Sequence, residues 1–247
     1  FGSMKRLVLV RHGQSAAQLH APKERWNQSI LELRDPGLSE LGVSQATDLA
    51  QWWQTQPKPS LVVCSPLCRA VQTAATIFPA ASGHSIIAHP DLRETPGGRP
   101  ATPGRDMQPE CQGRPAAELS RDPRFEAGNV DWSLVSDETW WSDVVETREE
   151  VEARLCSFCH WLDARPEPDA VVVCHYNIIQ RLVGEPKLQV QNCSPIFCSV
   201  EGREVSLAEP AEGLPMSTAG TAEVDTSLLK ARDAESQSHP PDLAPTG

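Results

Sequence analysis

Titratable side chains stand where apolar runs of this sequence end. The run Leu7–Val10 is followed by Arg11 and His12, and the run Ala170–Cys174 is followed by His175. Arginine carries a rigid fork of donors that matches phosphate oxygens, and histidine can be a nucleophile or a proton carrier near neutral pH. These residue types at a strand end predict phosphate chemistry. Taken alone, the first group is equally consistent with a chance turn after an edge strand.

Two further charged residues follow predicted strands. Leu61–Cys64 is a short apolar run, and the helix-start signal Ser65-Pro66 comes directly after it. Arg69 therefore lies in the first turn of the predicted helix, from which its side chain can return to the strand end. Glu94 follows the predicted strand Ser85–His89 and is a candidate general acid, although by itself it is one loop carboxylate among many. Together these residues supply a nucleophile, an anion clamp and an acid.

The other predicted elements place these residues along the chain. Ser39 is a predicted N-cap of a helix that reaches Trp53 and packs through a face that includes Leu41. A helical stripe predicts a second long helix over about 140–163. Two short strands, 190–193 and 196–200, are predicted to pair in antiparallel fashion. In an open α/β sheet, ligands bind beyond the carboxyl ends of the strands, which is where the candidate residues lie.

Residues 95–138 form a long connection that is rich in proline, glycine and arginine. Connections of this length are usually functional or disordered. We interpret the segment as a lid that could bring arginines to the rest of a substrate. The alternative is a solvated loop whose charges pair among themselves. The arginines in question are Arg99, Arg105, Arg114, Arg121 and Arg124.

The composition excludes several classes of partner. The 247 residues include 22 Lys and Arg against 33 Asp and Glu, so the formal net charge is −11. This charge argues against binding to nucleic acid or to anionic membranes. Scattered cysteines at the ends of apolar runs are typical of reduced, buried thiols. With no apolar run of membrane-spanning length and no signal-peptide pattern, we expect a cytoplasmic protein.

Five blocks of the sequence resemble, in order, those of the histidine phosphatase or phosphoglycerate-mutase-like superfamily. The first two are Leu9-Val10-Arg11-His12-Gly13-Gln14-Ser15 and the block that begins Asp35-Pro36-Gly37-Leu38-Ser39. The others are Cys64-Ser65-Pro66-Leu67-Cys68-Arg69-Ala70, Asp91-Leu92-Arg93-Glu94 and Val171-Val172-Val173-Cys174-His175. The blocks cover about residues 5–200. Five ordered blocks are much more specific than the Arg-His-Gly signature alone.

The resemblance implies a three-layer α/β/α sandwich with a mostly parallel sheet, in a domain over 4–207. It also implies that His12 becomes a phosphohistidine, that Arg11, Arg69 and His175 bind the phosphoryl oxygens, and that Glu94 protonates the leaving oxygen. Ser15, and Gln18 where relatives often carry asparagine, would add hydrogen bonds to phosphate. No metal and no cofactor are expected. From 208 to 247 the composition changes to an acidic Pro-, Ser- and Ala-rich tail, which is predicted to be disordered.

Departures from the family pattern bear on the activity. Tyr176 follows the second histidine where many relatives have glycine, so we expect its ring to line the substrate pocket. The long insertion with its tryptophans looks more like the plant and fungal mutase-like phosphatases. We therefore expect a metal-independent phosphomonoesterase that acts on a small phosphorylated metabolite. The alternatives are a phosphomutase of the phosphoglycerate type and a non-catalytic phosphate-binding protein.

Overall fold

The structure is a computed structural model in which residues 4–19, 34–96 and 103–209 are described. The strands are β1 (Lys5–Arg11), β2 (Leu61–Cys64), β3 (Ile86–Ala88), β4 (Val130–Asp131), β5 (Asp169–Cys174), β6 (Pro195–Glu201) and β7 (Glu204–Leu207). The α-helices are α1 (Glu40–Trp53), α2 (Cys68–Ile77), α3 (Ala116–Leu119), α4 (Arg148–Asp163) and α5 (Tyr176–Val183). Short 3₁₀ turns cover Ala16–Leu19, Ala80–Ser82, Pro90–Leu92, Pro109–Cys111 and Pro123–Phe125.

All seven strands form one sheet in the order β4-β3-β2-β5-β1-β6-β7. The pairs β1–β5, β2–β5, β2–β3 and β3–β4 are parallel. The last two strands are antiparallel, β6 to β1 and β7 to β6. The carboxyl ends of β1, β2, β3 and β5 therefore lie along the same edge of the sheet. These are the strand ends after which the candidate residues occur in the chain.

Helices cover both faces of the sheet. Successive side chains of a strand point to opposite faces, so each buried strand packs against helices on both sides. In β5, Val171 and Val173 belong to a core cluster with α1 and α2. Val172 and Cys174 belong to a second cluster with α4 and α5. All four side chains are at most 1% exposed, which explains why β5 is a continuous apolar run rather than an alternating one. The predicted three-layer α/β/α sandwich is confirmed.

The start of α1 agrees with the sequence prediction, whereas the start of α2 differs from it. Ser39 is the N-cap of α1, and its Oγ accepts a hydrogen bond from the Gly42 amide at 3.1 Å. The prediction that Leu41 faces the core is wrong, because its side chain is 52% exposed. Helix α2 begins at Cys68, two residues after the predicted proline. The amide of Cys68 donates to Asp35 Oδ1 at 2.8 Å, so the stabilising carboxylate comes from a distant part of the chain.

The start of α4 also lies later than the stripe predicted. Thr147 and Glu150 form a capping box, and the helix begins at Arg148. The preceding residues bond to the insertion in extended form, with the Val145 amide donating to the Arg105 carbonyl at 2.7 Å. This bond to the insertion takes the place of a helical hydrogen bond. The apolar residues before Thr147 have the spacing of a helical stripe but are not helical.

The predicted strand over 190–193 is wrong. Cys193 has a positive φ of 52°, and its amide donates to the Arg11 carbonyl at 2.8 Å. Asn192 forms an isolated bridge with Arg11. The segment turns across the end of β1 instead of pairing with the next strand. The antiparallel partners of β6 are β1 and β7.

Parts of two predictions lie outside the described residues. These are positions 97–102 of the insertion, which include Arg99, and all of the acidic tail from 210 onward. The proposed domain limits of 4–207 stay a prediction. In the described part of the chain, no helix is both long enough and apolar enough to cross a membrane.

Candidate active site

Backbone hydrogen bonds hold the ends of the four strands β1, β2, β3 and β5 level with one another. The His12 amide donates to the Cys174 carbonyl at 3.0 Å, and the Ser65 amide donates to the Val173 carbonyl at 3.0 Å. The His89 amide likewise donates to the Cys64 carbonyl at 2.8 Å. The loops that carry the candidate residues therefore leave the sheet side by side.

His12 is 5% exposed and has one ring nitrogen directed towards its own loop. Nδ1 lies 2.7 Å from the Gly13 carbonyl oxygen. Because a carbonyl oxygen only accepts hydrogen bonds, Nδ1 carries the proton in the neutral ring. Nε2 then holds a lone pair, and it accepts a hydrogen bond from Arg69 Nε at 3.2 Å. The lone pair that a nucleophile needs is thus on Nε2, where Arg69 donates to it, so a substrate phosphorus would take the place of this hydrogen bond.

Arg69 contacts both the first histidine and the insertion. Its side chain is almost fully buried, and besides its bond to His12 it donates from Nη1 to the Glu110 carbonyl at 2.6 Å. The thiol of Cys111, in the same turn, is buried close to Arg69. The 3₁₀ turn Pro109–Cys111 therefore lies against the guanidinium group. In the described part of the predicted lid, a backbone carbonyl and a thiol lie against Arg69.

His175 lies beside His12, with ring centroids 5.1 Å apart. Its side chain is fully buried, and Nε2 is 2.8 Å from Ser65 Oγ. In the described residues, Nδ1 is buried without a hydrogen-bond partner. That nitrogen is the kind of group that a phosphoryl oxygen could satisfy on binding.

Burial strongly favours the neutral form of both histidines. Desolvation, with the nearby Arg69 guanidinium and more weakly Arg11, lowers the pKa of His12 well below its ordinary value against an opposing effect of the Gly13 carbonyl. Desolvation also lowers the pKa of His175, and Arg69 and His12 act in the same direction. Both rings are therefore neutral at physiological pH, as an attacking imidazole must be.

Glu94 is the carboxyl group of the site. Its Oε1 accepts a hydrogen bond from the Thr95 amide at 2.9 Å. Burial raises the pKa of Glu94, while the Thr95 amide, Arg69, Asn177 and Arg11 oppose that shift. A carboxyl group with a raised pKa is suited to donate a proton near neutral pH.

Arg11 and Tyr176 meet face to face at the end of β1. The guanidinium carbon of Arg11 is 5.1 Å from the centroid of the Tyr176 ring, within the range of a cation–π contact. Arg11 Nη1 also donates to the Val190 carbonyl at 2.8 Å. The tyrosine ring thus supports one arginine of the predicted clamp.

Ser15 and Gln18 are engaged with each other. The Ser15 amide donates to Gln18 Oε1 at 3.0 Å, and the Gln18 amide donates to the Ser15 carbonyl at 2.9 Å. The glutamine side chain therefore closes the turn after β1. The phosphate-binding roles of both residues, and the pocket-lining role of Tyr176, stay predictions.

Several residues of the site were not predicted. The sequence pattern predicts Ser65 as a helix cap, whereas in the structure its hydroxyl is hydrogen-bonded to His175. Asn177 donates from Nδ2 to the Thr95 carbonyl at 3.0 Å, and Asn192 donates to the His12 carbonyl at 2.6 Å. These are contacts between distant parts of the chain, and no local sequence pattern predicts them. In the described residues no group of three or more His, Cys, Asp or Glu side chains could hold a metal ion.

Two arginines of the insertion pair with acidic residues instead of joining the histidines. Arg114 Nη2 lies 2.8 Å from Asp122 Oδ2, and Arg124 Nη2 lies 2.5 Å from the same oxygen. Arg114 also lies 3.6 Å from Asp35. For these two side chains, the alternative of internal pairing describes the structure.

The fold is that of the phosphoglycerate-mutase-like class of α/β proteins. The chain belongs to the histidine phosphatase superfamily (branch 1), whose family model matches residues 7–187. A similar relative is phosphoglycerate mutase-like protein 1 from Arabidopsis thaliana, 28% identical over 204 residues that cover 69% of this chain and 68% of the relative.

Solved structures with this fold include phosphatases. The ecdysone phosphate phosphatase of the silkworm (Bombix mori), in complex with tungstate, has a TM-score of 0.56 and 16% identity, and the similarity covers 91% of this chain and 99% of that one. The mycobacterial glucosyl-3-phosphoglycerate phosphatase has a TM-score of 0.50 and 25% identity, over 83% of this chain and 97% of its own.

Proposed function

We propose that this protein is a phosphomonoesterase that hydrolyses a small phosphorylated metabolite through a phosphohistidine on His12. The observation that carries this proposal is the orientation of the His12 ring. Its proton is held on Nδ1 by the Gly13 carbonyl, and its Nε2 accepts a hydrogen bond from Arg69, with the His175 ring centroid 5.1 Å away. The same arginine acts on the carboxyl group of Glu94. Both similar solved structures are named as phosphatases of small organic esters, which supports the same substrate class.

The first step transfers the phosphoryl group to the protein. The Nε2 lone pair attacks phosphorus while the bond from phosphorus to the ester oxygen breaks. The leaving oxygen takes the proton of the Glu94 carboxyl group, so an alcohol departs and a carboxylate remains. Arg11 and Arg69 offset the negative charge of the transferred oxygens. Nδ1 keeps its proton, and the Gly13 carbonyl stabilises the positive charge that the ring gains.

The second step returns the nitrogen to its starting state. A water molecule attacks phosphorus, and the Glu94 carboxylate accepts its proton. The bond from phosphorus to Nε2 breaks, and inorganic phosphate leaves. Glu94 is protonated again and ready for the next cycle. The arginines supply the charge stabilisation that metal ions supply in other phosphoryl-transfer enzymes.

A phosphomutase is the second candidate, because the Arabidopsis relative is named as mutase-like. A mutase returns the phosphoryl group to its substrate instead of to water. It would require a bisphosphate primer and would release little inorganic phosphate. Both activities use the same first step.

The test is phosphate release from a panel of phosphorylated metabolites, with chelator in excess. We expect release by the wild-type protein and none by the His12→Ala variant. His160→Ala is a matched control, since His160 is an exposed histidine on α4. Isomerisation of a phosphoglycerate with a bisphosphate primer, without phosphate release, would favour the mutase. Unchanged release by His12→Ala would refute the assignment of the nucleophile.

A further inference from the structure

Three consecutive residues at the start of α5 contact three different parts of the site. His175 bonds to Ser65, Tyr176 lies against Arg11, and Asn177 bonds to the segment that carries the acid. The first two have been assigned roles above. Asn177 has none, although its amide bonds to Thr95, the residue that follows Glu94.

The Asn177 amide is linked to the acid through the peptide that follows Glu94. Its Nδ2 donates to the Thr95 carbonyl at 3.0 Å, and the Thr95 amide donates to Glu94 Oε1 at 2.9 Å. The Asn177 amide also lowers the pKa of Glu94, so it favours the ionised carboxylate. Thr95 is 3% exposed, so water has little access to this chain of hydrogen bonds.

We propose that Asn177 is a positioning residue for Glu94, holding the carboxyl group in the orientation that protonates the leaving oxygen. The inference rests on the proposed function. An amide N–H bonds more strongly to a carboxylate than to a neutral carboxyl group. Its stabilisation therefore grows as Glu94 loses its proton in the transition state, and only interactions that strengthen there accelerate the step.

The leaving group decides how much this support matters. An alkyl phosphate expels a strongly basic alkoxide and depends on a proton from Glu94. A p-nitrophenyl phosphate expels a weakly basic phenolate and needs little help. A group that acts through the acid is therefore recognised by a fall in kcat that is confined to substrates with poor leaving groups, with KM unchanged.

The experiment measures kcat and KM on an alkyl phosphate and on p-nitrophenyl phosphate. For Asn177→Ala we expect kcat to fall about 10- to 100-fold on the alkyl ester, the scale of a misplaced reacting group, and less than about threefold on the aryl ester. Asn177→Asp should be at least as impaired, because it keeps the shape but has no N–H to donate. Gln180→Ala is the matched control, since this amide on the same helix donates only to the Leu188 carbonyl.

The decisive variant combines Asn177→Ala with Glu94→Gln. The glutamine introduced by the second substitution has no proton to give. In that background, loss of Asn177 should therefore cause no further fall in kcat on the alkyl ester. A further loss in that background would overturn the proposal. So would equal losses on both esters, or full activity of Asn177→Asp, because a purely structural role would be kept by the isosteric side chain. Thermal melting of each variant confirms that it is folded.

A second readout does not need turnover, so it separates this inference from the proposed function. The Glu94 carboxyl carbon is followed by NMR in 13C-glutamate-labelled protein and identified by its absence in Glu94→Gln. Removing the amide donor should raise the titration midpoint of Glu94, and an unchanged midpoint would overturn the inference even if the protein released no phosphate. The other ionisable groups that act on Glu94 stay in place: Arg11 of β1, Arg69 of α2, Cys111 of the insertion, Arg154 of α4 and Cys174 of β5.

Discussion

A buried carboxyl group destabilises a fold when it is ionised, and Glu94 is such a group. Its raised pKa means that the folded protein binds the Glu94 proton more tightly than the unfolded chain does. Stability from this proton is present in acid and is lost as the pH rises through the folded-state pKa. Glu94 therefore weakens the fold at neutral pH, as residues retained for chemistry often do.

Replacing Glu94 by glutamine should slow turnover and stabilise the protein. We expect the largest loss of kcat on substrates with poor leaving groups, because the amide cannot donate a proton to them. At pH 7.5 the free energy of unfolding should rise by about 1 kcal/mol, or about 2–4 °C in Tm. At pH 4.5 the gain should shrink, since that pH is close to the ordinary pKa of glutamate and about half of the unfolded wild-type chains then also bind the proton. Calorimetry at the two pH values measures this, and a lower Tm at pH 7.5 would contradict it.

Arg69 makes two directed hydrogen bonds that one ammonium group cannot reproduce. Nε donates to His12 and Nη1 donates to the Glu110 carbonyl, so the guanidinium fork spans the gap between them. For Arg69→Lys we expect kcat/KM to fall about 10²- to 10³-fold, the usual effect of removing a transition-state donor. Arg121→Lys, at an exposed arginine of the insertion, is the control. Near-normal kinetics of Arg69→Lys would remove this residue from the clamp.

The sequence predicted those site residues that follow an apolar run. Arg11, His12 and His175 could be placed because each comes at the end of a buried apolar strand, so each must lie at the carboxyl end of the sheet. Ser65 and Asn177 could not, since their roles depend on which side chain approaches from another part of the chain. Ser65 even carries a stronger local signal for helix capping than for its contact with His175.

At the scale of elements, the backbone of the turn after β1 packs closely against the first turn of α1. A Cβ atom on Gly42 would lie 2.1 Å from the Gln14 carbonyl oxygen, and one on Gly13 would lie 2.5 Å from the Gly42 carbonyl oxygen. Ser39 reinforces the contact, because its amide donates to the Gln14 carbonyl at 2.8 Å. This packing fixes the turn that follows His12, the proposed nucleophile.

Gly42→Ala should therefore disturb both stability and catalysis. The added methyl group meets backbone rather than a flexible side chain, so the turn or the helix must move. We expect a loss of about 1–3 kcal/mol in the free energy of unfolding, typical of overpacking, together with reduced kcat. Ser44→Ala, at an exposed position of the same helix, should change neither. Denaturant unfolding and phosphate release measure the two effects, and a variant with wild-type values would show that the contact can relax.

Elements with strong local signals were predicted well, and those fixed by distant contacts were not. The apolar runs of β1, β2 and β5 and the cap at Ser39 lie within a few residues of sequence. The start of α2 depends on Asp35, whose carboxylate binds the Cys68 amide. The start of α4 depends on the insertion, which pairs with the residues before Thr147 and keeps them extended.

At the scale of the whole molecule, two neutral histidines are enclosed in an acidic protein. Because burial lowers the pKa values of His12 and His175, the unfolded chain binds protons that the folded protein does not. Stability therefore falls as the pH drops below about 6.5, the ordinary pKa of histidine.

His12→Gln should make the fold less sensitive to acid. Between pH 7.5 and pH 5 the wild-type protein should lose about 2 kcal/mol more stability than the variant, the contribution of one histidine that cannot be protonated when folded. Denaturant unfolding at both pH values gives the difference. His160→Gln, at the surface, should follow the wild type. Parallel losses in His12→Gln and the wild type would mean that His12 is protonated within the fold.

The consecutive contacts of His175, Tyr176 and Asn177 also bear on how this site can be changed. His175 is the extended N-cap residue, and Tyr176 and Asn177 begin the helix. The three side chains contact three different partners, Ser65, Arg11 and Thr95 respectively. A rotation or slip of α5 would break all three contacts together, whereas exchange of a single side chain alters one and spares the rest. An engineer could therefore tune proton delivery at position 177 or the arginine support at position 176 while His175 keeps its place. The three consecutive positions can therefore be varied separately.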